Sequence, residues 1–193
     1  TEPLKDLTKA DFRIADATEL STLLGGIQFL PIAAVDRKMF GGAILTARTL
    51  WSSNVQARLS VATPINMQLS VSYDDATREA IIKTTLKYTS ALSTKHNISL
   101  VIYENNLVDA QEYPTYIDSS YTFKHVLRDV ITPVGGASVL DSLTNKAAGL
   151  VFEKTILYTL PAKWNPSNCK IVAFVHDAAA TKEVYQVIEK SVK

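Results

Sequence analysis

The chain has 193 residues, of which 47% are hydrophobic and 20% charged, a balance typical of a globular protein rather than a disordered one. With 20 basic and 19 acidic side chains the formal net charge is +1, so the composition offers no basic surface for nucleic acid or for an anionic membrane. The one cysteine, Cys169, excludes an internal disulfide bond and a cysteine-based zinc site.

The N-terminal third of the chain mixes helical and extended patterns. A helix is predicted to begin at Asp16, because Asp16 and Glu19 have capping-box spacing before a leucine stripe, and two glycines after Leu24 end it. Phe29–Val35 is predicted to be an extended apolar segment. Apolar residues recur at helical spacing over Thr46–Leu59, which predicts a second helix. Its apolar face would hold Leu50, Trp51, Val55 and Leu59.

The rest of the chain has the pattern of an antiparallel β protein. Apolar and polar residues alternate strictly from Ile65 to Tyr73, as on a strand with one buried and one exposed face. Asn105–Ser120 is predicted to be a polar loop. The spacing in Lys182–Val192 also fits a helix, although the short link before it favours a strand. Strands are predicted over Ile65–Tyr73, Glu79–Tyr88, Asn97–Glu104, Tyr121–Thr132, Leu150–Leu160, Cys169–His176 and Lys182–Val192.

Seven strands of this kind fit a two-sheet sandwich of the immunoglobulin or fibronectin type. We therefore predict a mainly β fold with two domains. Residues 1–62 form a mixed α/β appendage, and residues 63–193 form the β-sandwich.

No catalytic, cofactor or metal site is predicted. The chain lacks the spacing of a phosphate-binding glycine loop and has no Gly-x-Ser-x-Gly elbow. His96, His125 and His176 are far apart and lack metal-ligand spacing. Cys169 begins an apolar strand and is expected to be a buried, unpaired and inert thiol. The chain is therefore predicted not to be an enzyme.

His125 and Trp164 each leave two interpretations open. His125 shares a predicted strand face with Phe123 and Leu127, so we expect a core or sheet-edge histidine. The alternative is a binding-site histidine beside Arg128. Trp164 lies between two prolines and is expected to cover the end of the sandwich, with a ligand-stacking ring as the alternative.

Arg128 follows His125 by three residues on one predicted strand and is therefore expected to point away from the core. It would then pair with Glu104 or Glu153 on a neighbouring strand, or anchor a binding partner. The acidic residues nearby lack the spacing of a calcium loop and are expected to be solvated: Glu104, Asp109, Glu112 and Asp118.

Five strings follow one another after Pro64: Glu104–Gln111, Tyr121–Arg128, Leu160–Trp164, Ile171–Val175 and Thr181–Val184. Their order and spacing resemble the Bacteroidetes 28-kilodalton outer-membrane lipoprotein family over about Pro64–Lys193, and Pro31–Arg37 is similar to that family as well. Within the strings, a possible binding or structural motif is formed by Glu104, Gln111, His125, Arg128 and Trp164.

The resemblance implies a lipoprotein of a Gram-negative envelope, anchored in the outer membrane through a lipid on a cysteine outside this chain. It leaves open the cell surface and the periplasmic side. The function it implies is an adhesin-like or receptor-like interaction with an unknown protein or glycan, without nucleic acid or cofactor.

Many members of that family carry a thioredoxin-like half ahead of the sandwich, and the appendage resembles the end of such a half. This implies a cis Leu30–Pro31 bond. It also leaves an alternative function open, that of a thiol–disulfide envelope protein whose redox half lies outside this chain.

Overall fold

The structure is a computed structural model that describes residues 3–4, 7–179 and 181–193. Antiparallel strands outweigh helices in these residues, and 3₁₀ turns lie at Arg48–Leu50 and Pro166–Asn168. In chain order the helices and strands are α1 (Ala15–Leu23), β1 (Ile32–Ala34), β2 (Leu45–Ala47), α2 (Trp51–Arg58), β3 (Ile65–Asp74), β4 (Glu79–Tyr88), β5 (His96–Glu104), β6 (Leu107–Glu112), β7 (Ile117–Phe123), β8 (Val126–Val130), β9 (Ala137–Ser138), β10 (Val151–Thr159), β11 (Cys169–Asp177) and β12 (Val184–Ser191).

Two antiparallel sheets share one hydrophobic core. The smaller sheet has the strand order β10-β4-β3, and the larger has the order β12-β11-β5-β8, with β9 also paired to β5. Buried side chains of both sheets belong to a single cluster, which includes Ile82 and Leu86 of β4 and Ile98, Ile171 and Val175 of the larger sheet. Two hairpins, β1–β2 and β6–β7, lie outside these sheets. The prediction of a mainly β fold is confirmed.

The alternation predicted for the first two long strands is confirmed. Ile65 and Leu69 of β3 are buried while the polar residues between them are exposed, and every second residue of β4 from Ala80 to Tyr88 is buried. The last predicted strand is also present, because β12 pairs with β11 rather than forming a helix. Cys169 is fully buried and unpaired, as predicted.

The predicted polar loop Asn105–Ser120 is wrong. It contains β6 and the start of β7, which pair from Leu107 opposite Phe123 to Glu112 opposite Ile117. The single strand predicted over Tyr121–Thr132 is wrong as well. The strand is interrupted between β7 and β8 at His125, whose φ is +55°. The His125 N–H donates to the Asn105 side chain there instead of continuing a ladder.

Helix α1 is confirmed, but the capping box predicted at its start is not formed. The N-cap is Ile14, and no side chain caps the helix there. The helix ends as predicted at Gly25 and Gly26, whose φ values are +103° and +80°. The Leu30–Pro31 peptide bond is cis, as predicted.

The second predicted helix starts later than its pattern indicates, because Leu45–Ala47 pairs with β1 as a strand. On α2, Asn54 is buried and donates to the Thr46 hydroxyl at 3.1 Å. The apolar face named above points largely to solvent, since Leu50, Val55 and Leu59 are exposed. None of the helices in the described part of the chain is long and apolar enough to cross a bilayer.

A set of ion pairs joins the N-terminal region to β12. Arg58 lies 2.9 Å from Asp36 and 2.8 Å from Glu183, and Lys38 also contacts Glu183 at 2.8 Å. The Val184 N–H donates to the Asp36 carbonyl at 2.7 Å. The region of residues 15–58 is thus in direct contact with the edge of the larger sheet.

Candidate functional site

One end of the larger sheet collects most of the residues that the sequence singled out. There β5 ends at Glu104, the β6–β7 hairpin projects, and β8 returns to the sheet. The link between β10 and β11 brings Trp164 to the same place, and residues 7–14, which we call the N-terminal strap, lie against the hairpin.

Glu104, Arg128 and Trp164 meet beneath the hairpin, and we call these three residues the buried base. Glu104 is 2% exposed, and its Oε2 lies 3.4 Å from Arg128 Nε. Its Oε1 accepts the Asn165 N–H at 2.9 Å. An ion pair with so little exposure depends on both partners, because either charge alone would be buried without compensation.

The Arg128 guanidinium lies between two aromatic rings. It is 5.1 Å from the centre of the Trp164 ring and 5.7 Å from that of Phe12, distances at which cation–π attraction operates. Trp164 in turn stacks on Tyr158 with ring centres 6.4 Å apart. Trp164 belongs to the hydrophobic core and is 6% exposed, so it covers the end of the core as expected.

The prediction that Arg128 points outward is wrong, although its predicted pairing with Glu104 is present. The Arg128 side chain is 12% exposed, and Val130 two residues later is buried in the same manner. Two irregularities cause this. The break at His125 resets the alternation, and the pairing of β8 with β5 shifts register between Ile102 and Tyr103.

Of the two positions predicted for His125, the core and the sheet edge, the core is wrong, and the residue directly precedes β8 at the end of the sheet's strand order. It is exposed and lies beside Tyr103, with ring centres 5.0 Å apart, and it does not belong to the buried base. The predicted strand face with Phe123 and Leu127 does not exist, because His125 itself interrupts the strand. The structure therefore separates His125 from the rest of the predicted motif.

Arg78 fixes the link that carries Trp164, a role that sequence reasoning missed. Its guanidinium donates to the carbonyls of Leu160 at 3.1 Å, Pro161 at 2.9 Å and Trp164 at 2.8 Å. Because these acceptors are main-chain atoms far along the chain, no side-chain pattern around Arg78 indicates the contact.

Asp109 holds the N-terminal strap against the hairpin. Its carboxylate is 1% exposed and accepts the N–H groups of Lys9, Ala10 and Ala110 at 2.7–3.0 Å. Burial alone would raise the pKa of Asp109, but these three N–H groups hold it below its usual value. The expectation that Asp109 and Glu104 are solvated is therefore wrong, whereas Glu112 is exposed.

Between the strap and the hairpin lies a cavity of about 350 Å³. Gln111, the remaining residue of the predicted motif, lines this cavity and donates its amide to the Glu112 carbonyl at 2.7 Å. The cavity lining is more apolar than polar. The lining includes Leu4, Phe12, Ala110, Phe123, Val126, Asp11, Arg13 and Glu112.

Three tyrosines continue from the cavity to the end of the hairpin, and we call Tyr113, Tyr116 and Tyr121 the tyrosine tip. Tyr113 and Tyr116 stack with ring centres 4.7 Å apart and planes 11° apart. Tyr121 contacts Tyr113 at 6.4 Å and Phe123 at 4.8 Å. Tyr116 is 59% exposed and Tyr121 36%, so the tip presents aromatic rings to solvent.

The local sequence explains why these tyrosines stack. The Tyr113 N–H donates to the Tyr116 carbonyl at 2.8 Å, which closes a two-residue loop at Pro114 and Thr115. Residues that flank such a loop lie opposite each other and point to the same face of the hairpin. The string Tyr-Pro-Thr-Tyr is thus a turn signal that the prediction of a polar loop missed.

Two buried histidines elsewhere have catalytic-looking neighbours. His176 Nδ1 faces the Asp177 carbonyl at 3.0 Å, so Nδ1 carries the proton and Nε2 accepts from the Ser99 hydroxyl at 3.0 Å. Burial lowers the pKa of His176 to about 4. However, Ser99 is 1% exposed, and Gly136 lies against the pair so closely that an added Cβ would be 2.8 Å from His176 Nε2. No substrate reaches this hydroxyl.

The second buried histidine is His96, whose Nε2 meets the Tyr88 hydroxyl and whose Nδ1 faces the Thr94 carbonyl at 3.1 Å. Lys146 is 1% exposed and donates to the carbonyls of Thr94 at 3.3 Å and Leu143 at 3.0 Å. Burial lowers the pKa of His96 and raises that of Tyr88 to about 12, so both remain neutral near pH 7. Among the described residues no group of His, Cys, Asp and Glu side chains could hold a metal ion.

Comparison with known proteins identifies a family. Residues 25–193 match the family model described as Outer membrane protein Omp28, which confirms the resemblance drawn from the sequence. A crystal structure of a domain of the outer membrane lipoprotein Omp28 from Porphyromonas gingivalis is 20% identical, with a TM-score of 0.46 over 67% of this chain and 88% of that one. The sporulation control protein Spo0M from Bacillus subtilis is 11% identical, with a TM-score of 0.36 over 61% of this chain and 44% of that one. No curated protein sequence matches the chain.

Proposed function

This chain belongs to the Omp28 outer membrane protein family, and from that premise we propose that it is a non-catalytic interaction module of the outer membrane, with an adhesin-like or receptor-like role. Membership of the family places it at the outer membrane. A lipid anchor outside this chain would hold it there, and its partner is a protein or a glycan met at the cell surface.

The observation that carries the proposal is the exposed tyrosine tip. Tyrosine side chains supply large contact areas at a small cost in conformational entropy and are enriched at recognition surfaces. Here they stand on a hairpin outside both sheets, stacked on one another and backed by Phe123. A surface that is both aromatic and held in place before binding loses little entropy when a partner docks.

The contacts between the hairpin and the buried base support the same proposal. Phe12 contacts Phe123 with ring centres 5.8 Å apart, and Arg128 lies over Phe12. The aromatic contacts therefore run without a gap from the hairpin to Trp164 in the core. This arrangement braces the hairpin against the sheet.

The thiol–disulfide alternative has little support in the described residues. Cys169 is fully buried, and burial raises the pKa of its thiol to about 12, with the Glu104 charge acting in the same direction. A thiol in that state is protonated at neutral pH and cannot attack a disulfide bond. Such a function would therefore depend on cysteines outside this chain.

The fold class that fits the proposal best is an immunoglobulin-like or fibronectin-like sandwich. The small sheet holds the first two long strands and β10, and the large sheet holds β5, β8, β11 and β12. This distribution follows the order of strands in that class. The N-terminal region would then be the end of a thioredoxin-like unit packed against β12.

A cell-binding experiment tests the proposed function. The fluorescently labelled full chain is incubated with a panel of intact epithelial and bacterial cells and measured by flow cytometry. We expect saturable binding that is lost in the Tyr116→Ser/Tyr121→Ser variant and kept in Leu157→Ser, a matched change at an exposed residue of β10. Equal binding by the tip variant, or no binding to any cell, would overturn the proposal.

A further inference from the structure

We infer that the tyrosine tip and the adjoining cavity form a carbohydrate-binding site for neutral pyranose sugars, an inference that rests on the proposed function and names its ligand. The site has two kinds of surface side by side. Flat aromatic rings lie at Tyr116 and Tyr121, and a cavity of about 350 Å³ opens beside Phe123, within the usual range of roughly 300–1,000 Å³ for small-molecule sites.

The stacking geometry leaves one ring face open to a ligand. Tyr113 is half-buried between Tyr116 and Tyr121, whereas the Tyr116 ring is 59% exposed and outermost in the stack. A pyranose ring has an apolar face of axial C–H groups, and that face packs on an aromatic ring in the same way as a further ring of the stack.

The polar groups around the rings are mostly hydrogen-bond acceptors. Glu112 is exposed at the cavity, and Asp118 lies near the Tyr113 phenol. Burial raises the pKa of Tyr113, with Tyr116, Tyr121 and Asp118 acting in the same direction, so the phenol keeps its proton and can donate. A ligand here must offer several O–H donors, which is the chemistry of a polyhydroxylated sugar.

The charges favour a sugar without a carboxylate or sulfate. Among the described residues that line the cavity, three carry carboxylates, Asp11, Asp109 and Glu112, and one carries a guanidinium, Arg13. Arg13 and Asp11 are paired at 2.8 Å, and Asp109 is satisfied by N–H groups, so among the described residues of the lining Glu112 adds a further negative charge. An anionic sugar would meet like charge at this rim, whereas a neutral one would donate to it.

The same negative charge would also suit a lysine-rich peptide, but such a peptide does not use the open ring face and the small cavity together. An extended basic chain spreads its ammonium groups over a surface, and each group is strongly hydrated. A pyranose ring is small enough for the cavity and can also stack on an exposed ring such as Tyr116. The geometry therefore favours the sugar.

Saturation-transfer NMR and competition on the full chain test the inference. The probes are methyl β-galactoside, lactose and N,N′-diacetylchitobiose as neutral sugars, 3′-sialyllactose as the anionic sugar, and an octalysine peptide. We expect at least one neutral sugar to bind, sialyllactose to bind more weakly than lactose, and Tyr116→Ala to weaken binding by about tenfold, the loss typical of a central aromatic contact. Tyr116→Phe should retain most of the binding, Glu112→Gln should weaken it, and Leu157→Ala should leave it unchanged.

The outcomes separate this inference from the proposed function. If cell binding depends on the tyrosine tip but no neutral sugar binds or competes, or if octalysine binds through the tip in place of sugars, the carbohydrate inference is overturned and the interaction module stands. Tighter binding of sialyllactose than of lactose also overturns it. If the tip variants bind cells and sugars as the wild type does, both ideas fail.

Discussion

The buried base and the tyrosine tip lie at the two ends of one column of aromatic contacts, yet their side chains are used in opposite ways. In the base, the Arg128 guanidinium has a ring on either side and a carboxylate at 3.4 Å. In the tip, Tyr113 has a ring on either side, but Tyr116 has one on a single side and is 59% exposed. The base is buried, whereas the tip is open to solvent.

The contrast between the buried base and the tyrosine tip distinguishes residues that stabilise the fold from residues that remain available to a binding partner. A buried ion pair is not accessible to a ligand, and removing one partner leaves the other charge uncompensated. An exposed ring contributes little to folding and keeps its face for a second molecule. On this ground we assign a mainly structural role to the motif read from the sequence, and we propose that the binding residues are tyrosines that it did not contain.

The largest expected effect comes from breaking the buried base. Arg128→Ala leaves the Glu104 carboxylate buried without its partner, so we expect the free energy of unfolding to fall by about 3–5 kcal/mol in urea titrations. The matched control is Lys83→Ala, which removes an ion pair with Glu153 that is about half exposed on both sides and is expected to cost about 0–1 kcal/mol.

Joining Arg128→Met with Glu104→Met sharpens this test. The double variant removes both charges, so it should be more stable than the single Arg128→Ala variant. If Arg128→Ala costs no more than Lys83→Ala, the base does not stabilise the fold, and the contrast with the tip disappears.

The second prediction concerns the stability contributed by His176, a buried histidine that is hydrogen-bonded but neutral. The pKa of His176 is lowered to about 4, chiefly by burial; the charges of Arg37 and His96 act in the same direction, and the Asp177 carbonyl and charge oppose them. An unfolded histidine titrates near about 6.5. Between pH 6.5 and pH 4 the unfolded chain therefore binds a proton that the folded chain does not, and the free energy of unfolding falls as the pH falls.

The full loss for His176 corresponds to about 3 kcal/mol and should level off below about pH 4. Urea titrations at pH 7 and at pH 4.5 measure it. In His176→Gln the difference between the two pH values should shrink, with the remainder coming from His96 and the carboxylates. A variant with the same difference as the wild type would show that His176 is not the group responsible.

A smaller effect is expected at the join between the strap and the hairpin. Asp109→Asn keeps the size of the side chain but removes the charge that accepts three N–H groups, which should cost about 1–3 kcal/mol and release the strap. Hydrogen exchange by NMR should show the amides of Lys9 and Ala10 losing protection. Asp118→Asn, at a partly buried aspartate of the same hairpin that is not bonded to the strap, should leave those amides protected.

The smallest effect on stability is expected at the tip. Tyr116→Ala removes an exposed ring, so the free energy of unfolding should change by less than about 0.5 kcal/mol. Thermal and urea unfolding of the variant check this. A loss of several kcal/mol would mean that the hairpin depends on its outer ring for folding, and the tip could no longer be treated as a surface free to bind.

Much of the two-sheet core could be predicted from the sequence because its strands have a clear period. The alternation from Ile65 to Tyr73 places apolar side chains on one face, and the apolar run at Cys169–His176 indicates a central strand, and both are present. An alternating pattern reflects burial of one strand face, and a continuous apolar run reflects burial of both. Each pattern is formed by residues that are close together in the sequence.

The site could not be predicted in the same way, because its geometry depends on one interrupted strand. A left-handed residue at His125 is not a glycine and was not indicated by the alternation, yet together with the register shift between β5 and β8 it moves Arg128 from the outer face to the buried one. Asp109 likewise reads as a loop carboxylate until the strap, about a hundred residues earlier, is folded onto it. Only the turn at Pro114 and Thr115 carried a local signal that closer reading could have used.

The most direct test of the account measures stability and binding on the same two variants. Tyr116→Ala and Arg128→Ala are each compared with the wild type for their urea midpoint and for saturable binding of the labelled chain to cells. We expect Tyr116→Ala to keep the wild-type midpoint and to lose about tenfold or more in binding. We expect Arg128→Ala to lose about 3–5 kcal/mol of stability, while the fraction that remains folded binds with the wild-type dissociation constant. The reverse pattern, in which folded Arg128→Ala fails to bind and Tyr116→Ala binds normally, would contradict it.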